Sequence, residues 1–175
     1  MEQKRLSDRE CQELFEKYKT PARVIRHCRA VSRVAVTIAE ALNQAGFHFD
    51  ISLVHSAGLI HDVCRTHPDH AKDGAVILRQ LGYLNEAEIV GAHMRHILRH
   101  LKDMDELDMV CLADRLVKED QYVGLDERID YLIHKKGENP ERTHLLLEGK
   151  KQIREIMDEV EEALGRTIDS LFYKI

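Results

Sequence analysis

The sequence predicts an all-α fold, a single-domain helical bundle, and three observations carry that prediction. Only three prolines and nine glycines interrupt 175 residues, too few for the frequent turns of an all-β chain. Helix-capping residues recur ahead of the apolar stretches. Within those stretches the apolar residues repeat at intervals of three and four rather than alternating.

Taken in order, Ser7 with Glu10 reads as a capping box opening a helix over 8–18. Thr20-Pro21 reads as N-cap then first helical residue of a helix over 21–45, with Gly46 its left-handed stop. Asp50 caps a helix over 50–63; a helix over 68–81 follows, closed by Gly82. Asn85 caps 85–100, and further helices are expected over 104–120 and 125–136. Asn139-Pro140 opens the last, over 140–172, with Gly165 a break within it. The motif-bearing core is expected over about 21–120, with the C-terminal helices of about 125–175 packed on it. A sustained apolar stripe along the last helix either packs on that core or forms the seam of a homodimer.

Composition narrows the function classes. A net charge of −5 argues against general nucleic-acid binding, and no apolar run is long enough to span a membrane. The segment MEQKRLSDRE lacks the apolar stretch of a signal peptide. Four cysteines (Cys11, Cys28, Cys64, Cys111) show no CxxC spacing, which fits reduced thiols and a cytoplasmic location. Histidine is the unusual component, at eleven residues.

Periodicity places some of those histidines inward. Val24, Cys28, Val31, Ala35, Ile38, Leu42 and Ala45 form one buried stripe of the second helix, and His27 lies beside it. Residues 51–63 are apolar almost all round yet end with His61-Asp62. Asp114 interrupts an equally apolar run, a costly place for a carboxylate without a partner. Individually, an inward histidine reads more readily as a satisfied core group than as a ligand, and Asp114 reads equally as a ligand or as half of a salt bridge to Arg115 or to a neighbouring helix. Together, His27, His61-Asp62 and Asp114 on three inner helices are hard to explain by packing. Imidazole and carboxylate suit Fe, Mn, Zn or Ni, and the absence of cysteine pairs argues against a closed structural zinc site. His55 reads either as an orienting partner of the site or as a hydrogen-bonded core histidine.

These residues, in this order, resemble the HD-domain metal-dependent phosphohydrolases, and within them the HDIG-type branch. Leu59-Ile60-His61-Asp62-Val63-Cys64-Arg65 stands where that branch has a hydrophobic pair followed by HDIGK. His70-Ala71-Lys72-Asp73-Gly74-Ala75 matches its H-x-x-x-G-A segment. Ala92-His93-Met94 falls where a further histidine is usual, and Leu112-Ala113-Asp114-Arg115-Leu116 matches the closing ADxL element. The resemblance covers about residues 21–120. It implies an HD-type helical bundle and one or two divalent transition-metal ions, two being the preferred reading.

By the same resemblance His27, His61, Asp62 and Asp114 hold one metal and His70 and His93 help hold a second, with His96 the alternative to His93. His61 and Asp62 form the catalytic doublet. The implied reaction is cleavage of a small phosphate ester or nucleotide by metal-activated water. Arg65 replaces the usual lysine, keeping a planar cation suited to phosphate but no proton donor at neutral pH. Arg65, Lys72, Arg26 and Arg115 are the expected phosphate contacts. Di-iron oxygenase chemistry on the same ligands, or a non-catalytic metal- or nucleotide-binding regulatory module, are the alternatives.

Overall fold

The structure, a computed structural model, describes residues 4–135 and 139–173. Its elements follow the chain: α1 (Asp8–Lys17), α2 (Ala22–Gln44), α3 (Ile51–Ile60), α4 (His70–Gln80), α5 (Leu84–Ala92), α6 (Glu106–Asp114), α7 (Gly124–Lys135) and α8 (Pro140–Leu164). A two-residue hairpin, β1 (Val117–Lys118) and β2 (Gln121–Tyr122), pairs antiparallel between α6 and α7. Short 3-10 turns cover Leu101–Asp103 and Asp169–Leu171. The fold is all-α, as the sequence predicts. Among the described residues no helix is long and apolar enough to cross a membrane.

α2 is the axis of the bundle. Its stripe from Val24 to Leu42 is buried against α3 on one side and α6 on another, and α8 closes over part of it. The stripe stops at Leu42, because Ala45 is already the exposed C-cap. α2 and α3 approach closely where a Cβ on Gly58 would stand 2.8 Å from the Ser32 Cα. Two apolar clusters flank this contact. One runs from α2 through α6 to Met157 and Val160 of α8, the other from α1 through Leu59 and Ile60 to Leu78 and Val90.

Several caps form as expected. Ser7 and Glu10 make the reciprocal capping box, Asp50 accepts from the Leu53 N–H at 3.0 Å, and Asn139 accepts from Arg142. Gly46, Gly82 and Gly165 all have positive φ at helix ends. Thr20 is not the cap of α2: its hydroxyl donates to the Val63 carbonyl at 2.6 Å, and Pro21 occupies the N-cap position. Asn85 lies inside α5, where Tyr83 is the N-cap.

Three helices are shorter than the periodicity suggests. The 50–63 segment leaves the helix after Ile60, and its last residues turn through 61–66. The 85–100 segment ends at Ala92, because buried Asp108 draws the following chain to itself. It accepts from the Arg99 N–H and guanidinium and pairs with His96. The 104–120 segment ends at Asp114 and becomes the hairpin, turned at Glu119 with φ of 55°. The last helix breaks at Gly165, and Ile168 folds back into the core with its N–H on Glu161. α7 runs to Lys135; residue 136 of the expected 125–136 helix lies outside the described residues.

Candidate metal centre

The shortened helices are what build the site. His61 is the C-cap of α3, His93 the C-cap of α5, and Asp114 the last residue of α6. Three helix C-termini, the negative ends of their dipoles, therefore converge on one place and favour a cation there. His27 enters from the second turn of α2, Asp62 follows His61, and His70 opens α4.

Backbone carbonyls orient three of the histidines. His61 Nδ1 lies 2.8 Å from the Gly58 carbonyl and His93 Nδ1 2.7 Å from that of Val90, each three residues back at a helix end. His27 Nδ1 reaches the Glu119 carbonyl at 2.7 Å, so the left-handed turn of the hairpin fixes this ring from outside its own helix. With Nδ1 donating, each Nε2 is turned into the cluster: that of His61 is a lone pair without a partner, and those of His27 and His93 face Asp114 and Asp62.

The six side chains fall into two groups. Ligand atoms of His27, His61 and Asp114 lie within 4.8 Å of one another, as do those of Asp62, His70 and His93. Asp62 belongs to the second group and faces the first. Its Oδ1 is 3.3 Å from His70 Nε2 and 3.6 Å from His93 Nε2, while its Oδ2 is 3.8 Å from His61 Nε2. In the first group His27 Nε2 is 2.9 Å from Asp114 Oδ1. The rings of His27, His61, His93 and His70 succeed one another at centroid separations of 5.6, 5.3 and 5.6 Å.

Two of these atoms, His61 Nε2 and Asp62 Oδ1, are buried without a hydrogen-bond partner. A buried polar atom left unpaired is costly, and here two lone-pair donors of one cluster are left so. A divalent cation would satisfy both, and the N/O donor set fits Fe, Mn, Zn or Ni.

Electrostatics agree with a cation-seeking site. Burial pushes the Asp62 carboxyl up, but His93, His61 and Arg65 outweigh it and hold the group well below the usual carboxylate range. Burial likewise opposes ionisation of Asp114, and the hydrogen bond from His27 with the charges of His61, His27 and Arg128 overcomes it. Burial lowers His61 and His70. His27 and His93 are raised because Asp114 and Asp62 outweigh their burial.

The expected phosphate contacts divide. Arg65 sits at the site, its Nε 3.6 Å from Asp62 Oδ2 and its Nη1 3.0 Å from His70 Nε2. Coordination through His70 requires this guanidinium to release the lone pair. Arg26 lines the adjoining cleft and pairs with Asp120 at 3.3 Å. Lys72 lines a separate depression with His70 and Arg95. Arg115 is turned away: it caps α6 and donates to the His96 carbonyl at 2.6 Å. His96 is committed to Asp108 at 2.6 Å, so His93 rather than His96 faces Asp62. His55 is not a partner of the site. It bridges Ser32 at 3.0 Å and Asp8 at 2.6 Å, tying α1 to α2 and α3.

A cleft of about 310 Å³ opens on His27 and Asp62. Residues of α7, namely Arg128, Tyr131 and Lys135, form its far wall, and Arg23 joins them from α2. The sequence reading missed this wall. The signal available was the basic and aromatic spacing of Arg128, Tyr131 and Lys135 along one helix face, but nothing local ties that face to a site begun a hundred residues earlier. A roomier cavity of about 680 Å³ lies between α1 and α2 and touches none of the six side chains.

A family model described as "HD domain" matches residues 24–119 of the chain. A relative, "Uncharacterized protein MJ0778" of Methanocaldococcus jannaschii, is 40% identical over 77 residues, 42% of this chain. The match covers 44% of that protein, so the chain spans less than half the length of the relative it matches. No solved structure matches the chain.

Proposed function

The chain belongs to the HD-domain family, and from that premise we propose that it is a metal-dependent phosphohydrolase acting on a small phosphate ester or nucleotide. Two divalent transition-metal ions would be held, one by His27, His61, Asp62 and Asp114, the other by Asp62, His70 and His93. The observation that carries the reading is Asp62, whose two oxygens face two histidine groups while Oδ1 and the neighbouring His61 Nε2 stand buried and unpaired.

Metal ions held by these residues would supply Lewis acidity to the phosphoryl oxygens and an acidified water as nucleophile. The protein's own part is positioning. His27, His61 and His93 keep their Nδ1 protons on backbone carbonyls, so no ring rotation is needed to present Nε2, and His27 has only to give up its hydrogen bond to Asp114. Asp62 and Asp114 remain ionised throughout the neutral range. Arg65, exposed at the mouth and always charged, offers a fork of N–H donors to the phosphoryl oxygens. It is not a proton source, so protonation of the leaving group falls to solvent or to the substrate.

The test is Asp62→Ala against wild type, each assayed on p-nitrophenyl phosphate with manganese and analysed for bound metal. The reading expects hydrolysis by wild type and loss of both hydrolysis and metal in the variant. Full activity in the variant would remove Asp62 from the reaction and overturn the assignment.

A further inference from the structure

We propose that the cleft beside Asp62 and His27 is an anion subsite, and that the substrate therefore carries a second phosphoryl group besides the one that reacts. The inference rests on the phosphohydrolase reading and names its substrate class: a small di- or triphosphoryl compound.

Three cations crowd one aromatic ring on the far wall. Lys118 Nζ lies 5.2 Å from the Tyr131 ring centre, Lys135 Nζ 5.0 Å and the Arg128 guanidinium carbon 5.7 Å. Lys118 has a carboxylate partner in Glu127 at 3.0 Å. Among the described residues Arg128 and Lys135 have no carboxylate within ion-pair distance, and neither does Arg23 across the cleft. The Arg128 Nε is buried without any hydrogen-bond partner. Arg128 and Lys135, with Arg23 opposite, thus stand beside an open cleft without an ion-pair partner; the ring quadrupole offsets only part of their repulsion, and an anion bound in the cleft would relieve the rest.

Position separates this subsite from the metal ligands while keeping it in reach. The same cleft is lined by His27 and Asp62 at one end and by Arg128 and Lys135 at the other. Arg128 is close enough that its charge helps keep Asp114 ionised. Glu119 and Asp120 also line the cleft, but Asp120 is matched by Arg26 at 3.3 Å and Glu119 is exposed at the hairpin tip. At about 310 Å³ the space sits at the small end of ligand pockets, which suits a compact phosphorylated molecule and not a polymer.

The experiment is calorimetric titration of manganese-loaded protein, freed of unbound metal, with orthophosphate and with pyrophosphate. Wild type is compared with the Arg23→Gln/Lys135→Gln double variant. Both changed residues are exposed, so the fold is retained, and Arg128 is left in place because it acts on Asp114. The subsite predicts that wild type binds pyrophosphate about tenfold more tightly than orthophosphate, the worth of one charge-assisted contact. In the double variant the preference falls to about threefold or less with orthophosphate affinity unchanged. Equal affinities in wild type, or a preference that survives the double substitution, would overturn it. Hydrolysis of p-nitrophenyl phosphate by the same preparation reports separately on the phosphohydrolase reading. Hydrolysis without a pyrophosphate preference defeats the subsite alone, and a preference that the double variant loses, without hydrolysis, supports the subsite while defeating the reaction.

Discussion

Single side chains decide which histidines can be ligands. His93 and His96 are one helical turn apart in sequence, yet His93 faces Asp62 at 3.6 Å while His96 is held at 2.6 Å by buried Asp108. The His70→Ala/His93→Ala double variant is expected to lose about one equivalent of metal with its helical circular dichroism intact. His96→Ala is expected to keep the full complement and to lose stability by about 1–3 kcal/mol, since it strips a hydrogen bond from a buried carboxylate. Elemental analysis beside thermal melts checks both. Glu10 gives a separate prediction. The Tyr83 hydroxyl, then Ser7, hold its carboxyl down to about 2, below its ordinary value near 4.5. A depressed carboxylate stabilises the fold above its unfolded pKa and loses that contribution as pH falls through the folded one. Glu10→Gln should therefore cost about 1 kcal/mol at pH 7, the size expected of a largely exposed interaction. Denaturant melts should show that gap from wild type closing as pH falls from about 4.5 toward 2.

At the scale of elements, the periodicity shows where helices start and which faces are buried better than where they stop. Ser7, Asp50 and Asn139 cap as read, and the stripe from Val24 to Leu42 is buried, because these depend on residues within one turn of each other. The premature ends at Ile60, Ala92 and Asp114 were not legible, because each is set by a distant partner or a turn. Asp108 draws the chain out of helix after Ala92, and Thr20 holds the Val63 carbonyl from another segment. Those early stops place His61, His93 and Asp114 at helix ends, so which residues would gather was readable while their geometry was not. The α2–α3 contact transmits directly to the site. Gly58→Ala would press a methyl group against the Ser32 backbone, three residues before His61 and at the carbonyl that orients it. We expect about 1–3 kcal/mol of destabilisation together with weakened metal binding, read by melts with and without manganese.

For the molecule as a whole, the candidate centre joins α2, α3, α4, α5 and α6, elements drawn from the chain between His27 and Asp114. A cation held there links segments from both apolar clusters, so occupancy and folding are coupled. At a hundredfold excess over Kd the expected gain is about 2.7 kcal/mol, a rise in Tm on the order of 5–10 °C for a chain of this size. Asp62→Asn should abolish that rise, since neither histidine group keeps its shared carboxylate. The measurement that bears most directly on the account is elemental analysis of untagged wild-type protein after reconstitution. Two equivalents of iron, manganese or another transition metal per chain are expected from the two histidine–aspartate groups. A chain that takes up no metal under those conditions would contradict the account at its centre.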